Sequence, residues 1–186
     1  MGYWNSMGLK GSGFEEMINF TNEFLKKRGA AVIQKIPTPI TPVEMSKDKR
    51  TITLGYFDKK STVDYIGVAA GIALAFDAKE TTQKSLPLQN VHEHQIEFMR
   101  GFIKSGGVSF LIVNFREKGE IFILPFEVLD KFYEESKKGG RKSIPYSAFE
   151  RKYMAEIKMG GVIDYITPLN VYLSERHGKC ENTEEK

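Results

Sequence analysis

The sequence predicts an α/β or α+β domain built on a mixed β-sheet. Three observations lead there. The chain's periodicities run helix, several strands, helix, two strands, helix. A length of 186 residues suits one domain with a proper core. The balance of 41% hydrophobic and 27% charged residues is that of an ordinary globular protein. It excludes a disordered chain, a collagen-like repeat and a disulfide scaffold. Cys180 is the one cysteine, so no bridge forms within the chain, which suits a reducing compartment. No apolar run approaches the roughly 20 residues of a membrane helix. Met1 to Asn5 lacks both a basic segment and an apolar one, so no signal peptide and no membrane association are expected, and the expected location is cytoplasmic.

Each element has its own signal. Residues 1–11 contain three glycines and no periodicity, which reads as a flexible arm. Ser12 and Glu15 fit the N-cap and N3 positions of a capping box. Phe14, Met17, Ile18, Phe24 and Leu25 then recur near helical spacing, and Lys26, Lys27 and Arg28 complement the dipole before Gly29. One amphipathic helix therefore spans about 13–28. Ala30 to Ile36 reads as a short strand. Pro37, Pro39 and Pro42 remove three backbone donors, so that stretch is an extended connection. Met45 to Arg50 suits the tip of a projection, and Thr51 to Phe57 returns as a β-rich segment. The projection covers about 37–60.

Ser61 to Tyr65 and Ile72 to Lys79 read as two more strands, joined through Gly67 and Gly71. A helix starts near Asn90 and runs through Ile103, with Val91, Ile96, Met99 and Ile103 on one side, and Gly106-Gly107 ends it. Val108 to Phe115 is mostly apolar, as in a buried central strand, and Glu120 to Leu124 pairs with it across a turn. Phe126 to Glu135 is a third helix. Beyond residue 139 come a Gly-Gly-Arg-Lys loop, a short helix near Tyr146 to Met154, and a polar tail over 174–186. No internal repeat or linker divides the chain, so residues 12–173 form one domain.

The charge is unevenly placed. Nine basic residues against three acids lie between Lys26 and Lys60, among them Lys47, Lys49 and Arg50. Six basic residues against one acid lie between Lys137 and Lys152, including Arg141 and Lys142. Two basic segments on a nearly neutral chain suit a polyanion, although solvated faces have the same composition.

Side chains two apart on a strand share a face. Thr62 and Asp64 therefore fall together, as do Ala73, Ala75, Asp77 and Lys79, while Ile72, Leu74 and Phe76 form the opposite, apolar face. If the strands pair, Thr62, Asp64, Asp77 and Lys79 converge at one end of a sheet, with the alanines leaving space before them. Two carboxylates can hold Mg²⁺, a hard cation that prefers oxygen ligands and keeps several waters. A lysine beside them can orient water and offset charge on a phosphate. That set fits metal-assisted hydrolysis of a phosphodiester, but the bare spacing also arises by chance at solvated strand ends. His92 and His94 suit a helix start better than a zinc site. Glu15 has the capping role as its ordinary alternative, and no phosphate-binding Walker loop is present.

Longer strings carry more information. Ile36-Pro37-Thr38-Pro39-Ile40 is followed by Ser61-Thr62-Val63-Asp64-Tyr65-Ile66-Gly67. Phe76-Asp77-Ala78-Lys79-Glu80-Thr81 and Pro87-Leu88-Gln89-Asn90 come next, then His92-Glu93-His94-Gln95 and Gly140-Arg141-Lys142-Ser143-Ile144-Pro145. Together, over roughly 12–150, they resemble the RecU family of Holliday junction resolvases. The resemblance implies a PD-(D/E)xK, restriction-endonuclease-like fold: a mixed sheet flanked by helices, with a protruding β stalk.

It also implies a Mg²⁺-dependent endonuclease, with Mn²⁺ as substitute, that cuts four-way DNA junctions by paired symmetric nicks in recombination and repair. By matching motif positions, Asp64 and Asp77 are its acidic metal ligands, Thr62 and Gln95 complete the metal sphere, and Lys79 is the transition-state lysine. Glu15 matches the acidic position of the family's first helix. Many members carry Glu where this chain has Asp77, one methylene shorter. Lys47, Lys49 and Arg50 fall on the stalk, and Arg141 and Lys142 beside the DNA arms. Paired cuts suit a twofold homodimer, and the family suggests branch-migration and recombinase proteins as partners. A related nuclease with another DNA substrate, or a junction-binding scaffold that does not cut, remains the alternative.

Overall fold

The computed structural model describes residues 12–57 and 62–184. The arm expected at residues 1–11 lies outside the described residues. Helix α1 (Ser12–Lys27) leads into β1 (Ala31–Lys35), and β2 (Ile40–Met45) with β3 (Ile52–Phe57) forms a separate two-stranded sheet. This is the projecting hairpin. Next come β4 (Tyr65–Ala69), β5 (Ile72–Thr81), β6 (Ser85–Pro87), α2 (Glu93–Lys104), β7 (Val108–Phe115), β8 (Glu120–Pro125) and α3 (Phe126–Lys137). The chain ends in β9 (Ser143–Pro145), β10 (Met154–Lys158), β11 (Val162–Asp164) and α4 (Ile166–Glu184). Among the described residues, seven strands make the main sheet, in the order β1-β4-β5-β7-β8-β10-β11. The β5–β7 pair is parallel and its neighbours are antiparallel, so the sheet is mixed as expected.

Apolar layers lie on both faces. One holds Phe14 and Ile18 of α1 with Leu74, Phe76, Phe110 and Ile112 of the sheet, and Leu169 and Tyr172 of α4. The other holds Ile96 and Met99 of α2 and Leu129 of α3 with Ala75, Leu111, Val113 and Phe122. Strands β5 and β7 are thus covered on both sides, which is why their sequences are so apolar. Helix α1 spans the concave face and touches both sheet edges, β1 and β11. Buried Thr21 accepts the Ile163 N–H at 2.9 Å, and buried Asn22 accepts the Tyr165 hydroxyl at 2.6 Å.

The β4–β5 turn positions the site. Ala70 and Gly71 both have positive φ (48° and 80°), the geometry of a tight hairpin turn matched to strand twist. Gly67 faces β1 closely: a Cβ there would lie 2.2 Å from the Val32 carbonyl oxygen.

Three expectations need correction. The first strand of the hairpin is Tyr65–Ala69, not 61–65. Its ladder with β5 stops at Tyr65 opposite Phe76 because side chains take over the next backbone donors, as described below. Ala75 does not leave space before the acids; it is fully buried beneath α2. The short helix expected near Tyr146 to Met154 is two 3₁₀ turns, Tyr146–Ala148 and Arg151–Tyr153, followed by β10 and β11. Residues 174–184 continue α4, whose start is capped by Asp164 accepting the Thr167 N–H at 3.1 Å.

Candidate active site

Carrying the β4–β5 register one residue past Tyr65 and Phe76 sets Asp64 opposite Asp77. Here the two carboxylates replace the ladder. The Asp64 N–H donates to Asp77 Oδ1 at 2.8 Å, and the Ala78 N–H donates to Asp64 Oδ2 at 3.0 Å. Each acid is therefore locked by the other strand's backbone, which costs two regular β-bonds and fixes both side chains face to face. Asp77 is fully buried. Its Oδ2 also receives Gln95 Nε2 at 2.7 Å and Lys79 Nζ at 2.5 Å. Burial, then the Asp77 charge, push the Asp64 carboxyl up to about 6.

Gln95 links this pair to α2. Its Oε1 accepts the His92 N–H at 3.0 Å while its nitrogen holds Asp77, so one buried amide both caps the helix and fixes an acid. His92 closes the reciprocal half of the capping box, and its ring stacks on His94 at 5.4 Å.

The cluster opens into a cleft of about 990 Å³ lined by Asp64, Ala78, Lys79, Glu80, Glu15 and Arg116, among others. Glu15 reaches it from α1 and pairs with Lys35 of β1, a partner the sequence did not suggest. The Ser12 side chain of the expected capping box lies outside the described residues. The structure thus brings Asp64, Asp77, Lys79 and Gln95 together, with Glu15 on the same cleft. Thr62 is exposed and is not part of the cleft wall. Lys47, Lys49 and Arg50 stand exposed at the tip of the β2–β3 hairpin, where Asp48 accepts the Arg50 N–H at 3.2 Å. Arg141 is exposed, and Lys142 lines a second hollow of about 580 Å³ that adjoins the first through Gln83, Pro87 and Gln89. Arg116, in the β7–β8 turn, is a cleft cation that sequence reasoning missed, since a turn arginine carries no spacing signal.

The donor set suits a hard divalent cation. Two carboxylates face each other with one pushed toward protonation, a mutual repulsion that such a cation relieves. Among the described residues no third Asp, Glu, His or Cys joins them. That favours an ion which fills its remaining positions with water or neutral oxygens, as Mg²⁺ does. Gln95 presents its nitrogen, not its oxygen, toward Asp77, and its oxygen is taken by the His92 N–H.

Comparison with known proteins identifies the family. The family model described as "RecU: Recombination protein U" matches residues 9–171. A protein of Pediococcus pentosaceus named Holliday junction resolvase RecU is 44% identical over 164 residues, covering 86% of this chain and 82% of its own. One of the same name from Geobacillus sp. is 42% identical over 174 residues, covering 90% and 86%. Among solved structures, Archaeoglobus fulgidus Hjc, a Holliday junction resolvase, aligns with 75% of this chain and 91% of its own at a TM-score of 0.44 and 12% identity. On the family match and the identity carried along most of its length, this chain belongs to the RecU family.

Proposed function

We propose that the protein is a metal-dependent endonuclease that resolves four-way DNA junctions. The observation that carries this reading is the Asp64–Asp77–Lys79 cluster, fixed at a strand end and open to a cleft, in a chain whose relatives are named Holliday junction resolvases. Asp64 and Asp77 hold the divalent cation, Mg²⁺ by its preference for oxygen donors, with Mn²⁺ able to replace it. Gln95 orients Asp77 from α2, and Thr62, two residues before Asp64, is the neutral oxygen that the entering segment offers the ion. When bound, the ion polarises the phosphoryl group and acidifies a water. Lys79, at the cleft beside Asp77, donates to a phosphate oxygen and offsets the charge that builds there. Glu15, across the cleft, orients the attacking water.

The stalk cations Lys47, Lys49 and Arg50 contact the junction, and Arg141 and Lys142 contact a DNA arm. Their charge and exposure support this. A twofold homodimer supplies two sites for paired cuts. It is supported by Ile52, Leu54 and Tyr56, which share one face of β3 and are 45%, 52% and 56% exposed on a ribbon with no covering layer among the described residues. No described helix is long and apolar enough to cross a membrane. Junction DNA in a bacterial relative of these proteins lies in the cytoplasm, where branch-migration and recombinase proteins also act on it.

Incubation with a synthetic four-way junction and Mg²⁺ tests the reading. The wild type cuts two strands at symmetric positions, and Asp64→Ala and Asp77→Asn bind the junction without cutting it. Equal cutting by the Asp64→Ala variant would refute the site. Equal cutting of linear duplex would favour a general nuclease.

A further inference from the structure

We infer that Arg116 is a phosphate anchor for the cleaved strand, setting where along that strand the cut falls. This rests on the nuclease reading above and adds a positioning residue to it. Among the described residues that line the catalytic cleft, Lys79 and Arg116 carry positive charge. Lys79 is committed to Asp77 and is 15% exposed; the Arg116 side chain is 61% exposed. The other walls contribute the acids Glu15, Asp64 and Glu80. A polyanion entering this cleft therefore meets acids on several sides and needs a cation at the rim to hold it.

Arg116 is built for that. Its backbone N–H donates to the Thr81 carbonyl at 3.0 Å, which staples the β7–β8 turn to the end of β5, the strand that carries Asp77 and Lys79. The turn is closed by the Lys118 N–H to the Phe115 carbonyl at 3.0 Å. On the side chain, Nη1 lies 3.5 Å from Glu80 Oε1, while Glu80 Oε2 receives Asn114 Nδ2 at 2.9 Å. Glu80 is thus held by two strands and aims the guanidinium, whose fork of donors matches a phosphate. Neighbouring cations are occupied elsewhere: Lys118 sits 4.5 Å above the Tyr146 ring, and Arg151 pairs with Glu120 at 2.7 Å.

Spacing agrees with an anchor distinct from the reacting centre. Four residue steps along the strand lead from Asp77 to Thr81, about 13 Å at the usual rise. That is a few nucleotides along a DNA strand. A cation fixed to the same strand as the acids measures that interval rigidly, so contact with one phosphate selects which other phosphate reaches Asp64 and Asp77.

The test uses the full chain with Arg116→Gln and Arg116→Lys. Junction binding is measured by fluorescence anisotropy in EDTA over a salt series, and cuts made in Mg²⁺ are mapped at single-nucleotide resolution. Arg116→Gln should weaken binding about tenfold at low salt and lower the slope of log affinity against log salt by about 0.9, the value of one lost phosphate contact. Its cuts should spread over neighbouring phosphodiesters. Arg116→Lys should keep the slope, because the charge remains, while its cuts still spread, because the fork is lost. An unchanged slope and an unchanged cut position in Arg116→Gln would overturn the inference. If the wild type cuts no junction yet Arg116→Gln lowers the slope, the nuclease reading falls and the phosphate contact stands. If the wild type cuts and neither the slope nor the cut position moves in Arg116→Gln, the reverse holds.

Discussion

Asp64 and Asp77 occupy positions where a β-ladder would ordinarily continue, and their carboxylates accept the N–H groups that main-chain carbonyls would otherwise take. A buried acid with that many donors has one available rotamer, which is what a metal ligand needs. Gln95 extends the same logic by tying Asp77 to the start of α2. Replacing it removes a donor from a fully buried carboxylate. Gln95→Ala should therefore weaken Mn²⁺ binding by about 10- to 100-fold, read by titration calorimetry on the protein alone. Unchanged Mn²⁺ affinity would mean the amide serves only the helix cap. The two acids and the lysine were legible in the sequence, because alternation along a strand fixes which side chains share a face; Gln95, on α2, came only from the family resemblance. The orientation of the Gln95 amide was not, since it depends on a capping bond between backbone and side chain on another element. Nor was the Glu15–Lys35 pair, which joins α1 to the sheet edge.

At the scale of elements, α1 braces the sheet. It packs against β1 and β11, strands at opposite edges, and buries polar groups to do so. Thr21→Val keeps the shape but leaves the Ile163 N–H without its acceptor in a buried place. It should cost about 1–3 kcal/mol, measured by urea unfolding, and a loss under about 0.5 kcal/mol would show that water replaces the hydroxyl. The stalk makes a separate prediction. Substituting Lys47, Lys49 and Arg50 together by glutamine should lower the salt slope of junction binding by up to about 2.7, with the cutting of junctions that remain bound preserved. An unchanged slope would place the stalk off the DNA. Long apolar elements were the readable ones: β7 is buried on both faces and shows it as a mostly apolar run broken only by Ser109 and Asn114. Strands β10 and β11 were not, because β10 buries chiefly Ala155 and follows two 3₁₀ turns whose spacing imitates a helix. Helix α4 is held by Leu169 and Tyr172 with the half-buried Ile166, Val171 and Leu173, and by polar bonds of Tyr172, Glu175 and Arg176, a mixture of apolar and polar anchors that does not mark a clear period.

For the molecule as a whole, the proposed function divides the work, the basic projection holding the branched substrate and the cleft cutting it. A two-stranded ribbon gains little stability alone, so the apolar face of β3 argues for a second copy beside it. Leu54→Asp should convert a dimer to a monomer by light scattering and abolish paired cutting, leaving the nuclease fold intact by circular dichroism. A dimer that persists in this variant would put the interface elsewhere. The mixed sheet with helices on both faces was predictable from the order of periodicities. The curl that lets α1 reach both edges was not, because it is set by long-range contacts such as the Ile163–Thr21 bond.

On the proposed function, Asp64 and Asp77 share one divalent cation. Anomalous diffraction from a crystal soaked in Mn²⁺ tests it most directly. One peak within about 2.0–2.5 Å of a carboxylate oxygen from each residue, absent in Asp77→Asn, is the expected result. A peak bound to neither residue, or one that survives in Asp77→Asn unchanged, would contradict the account.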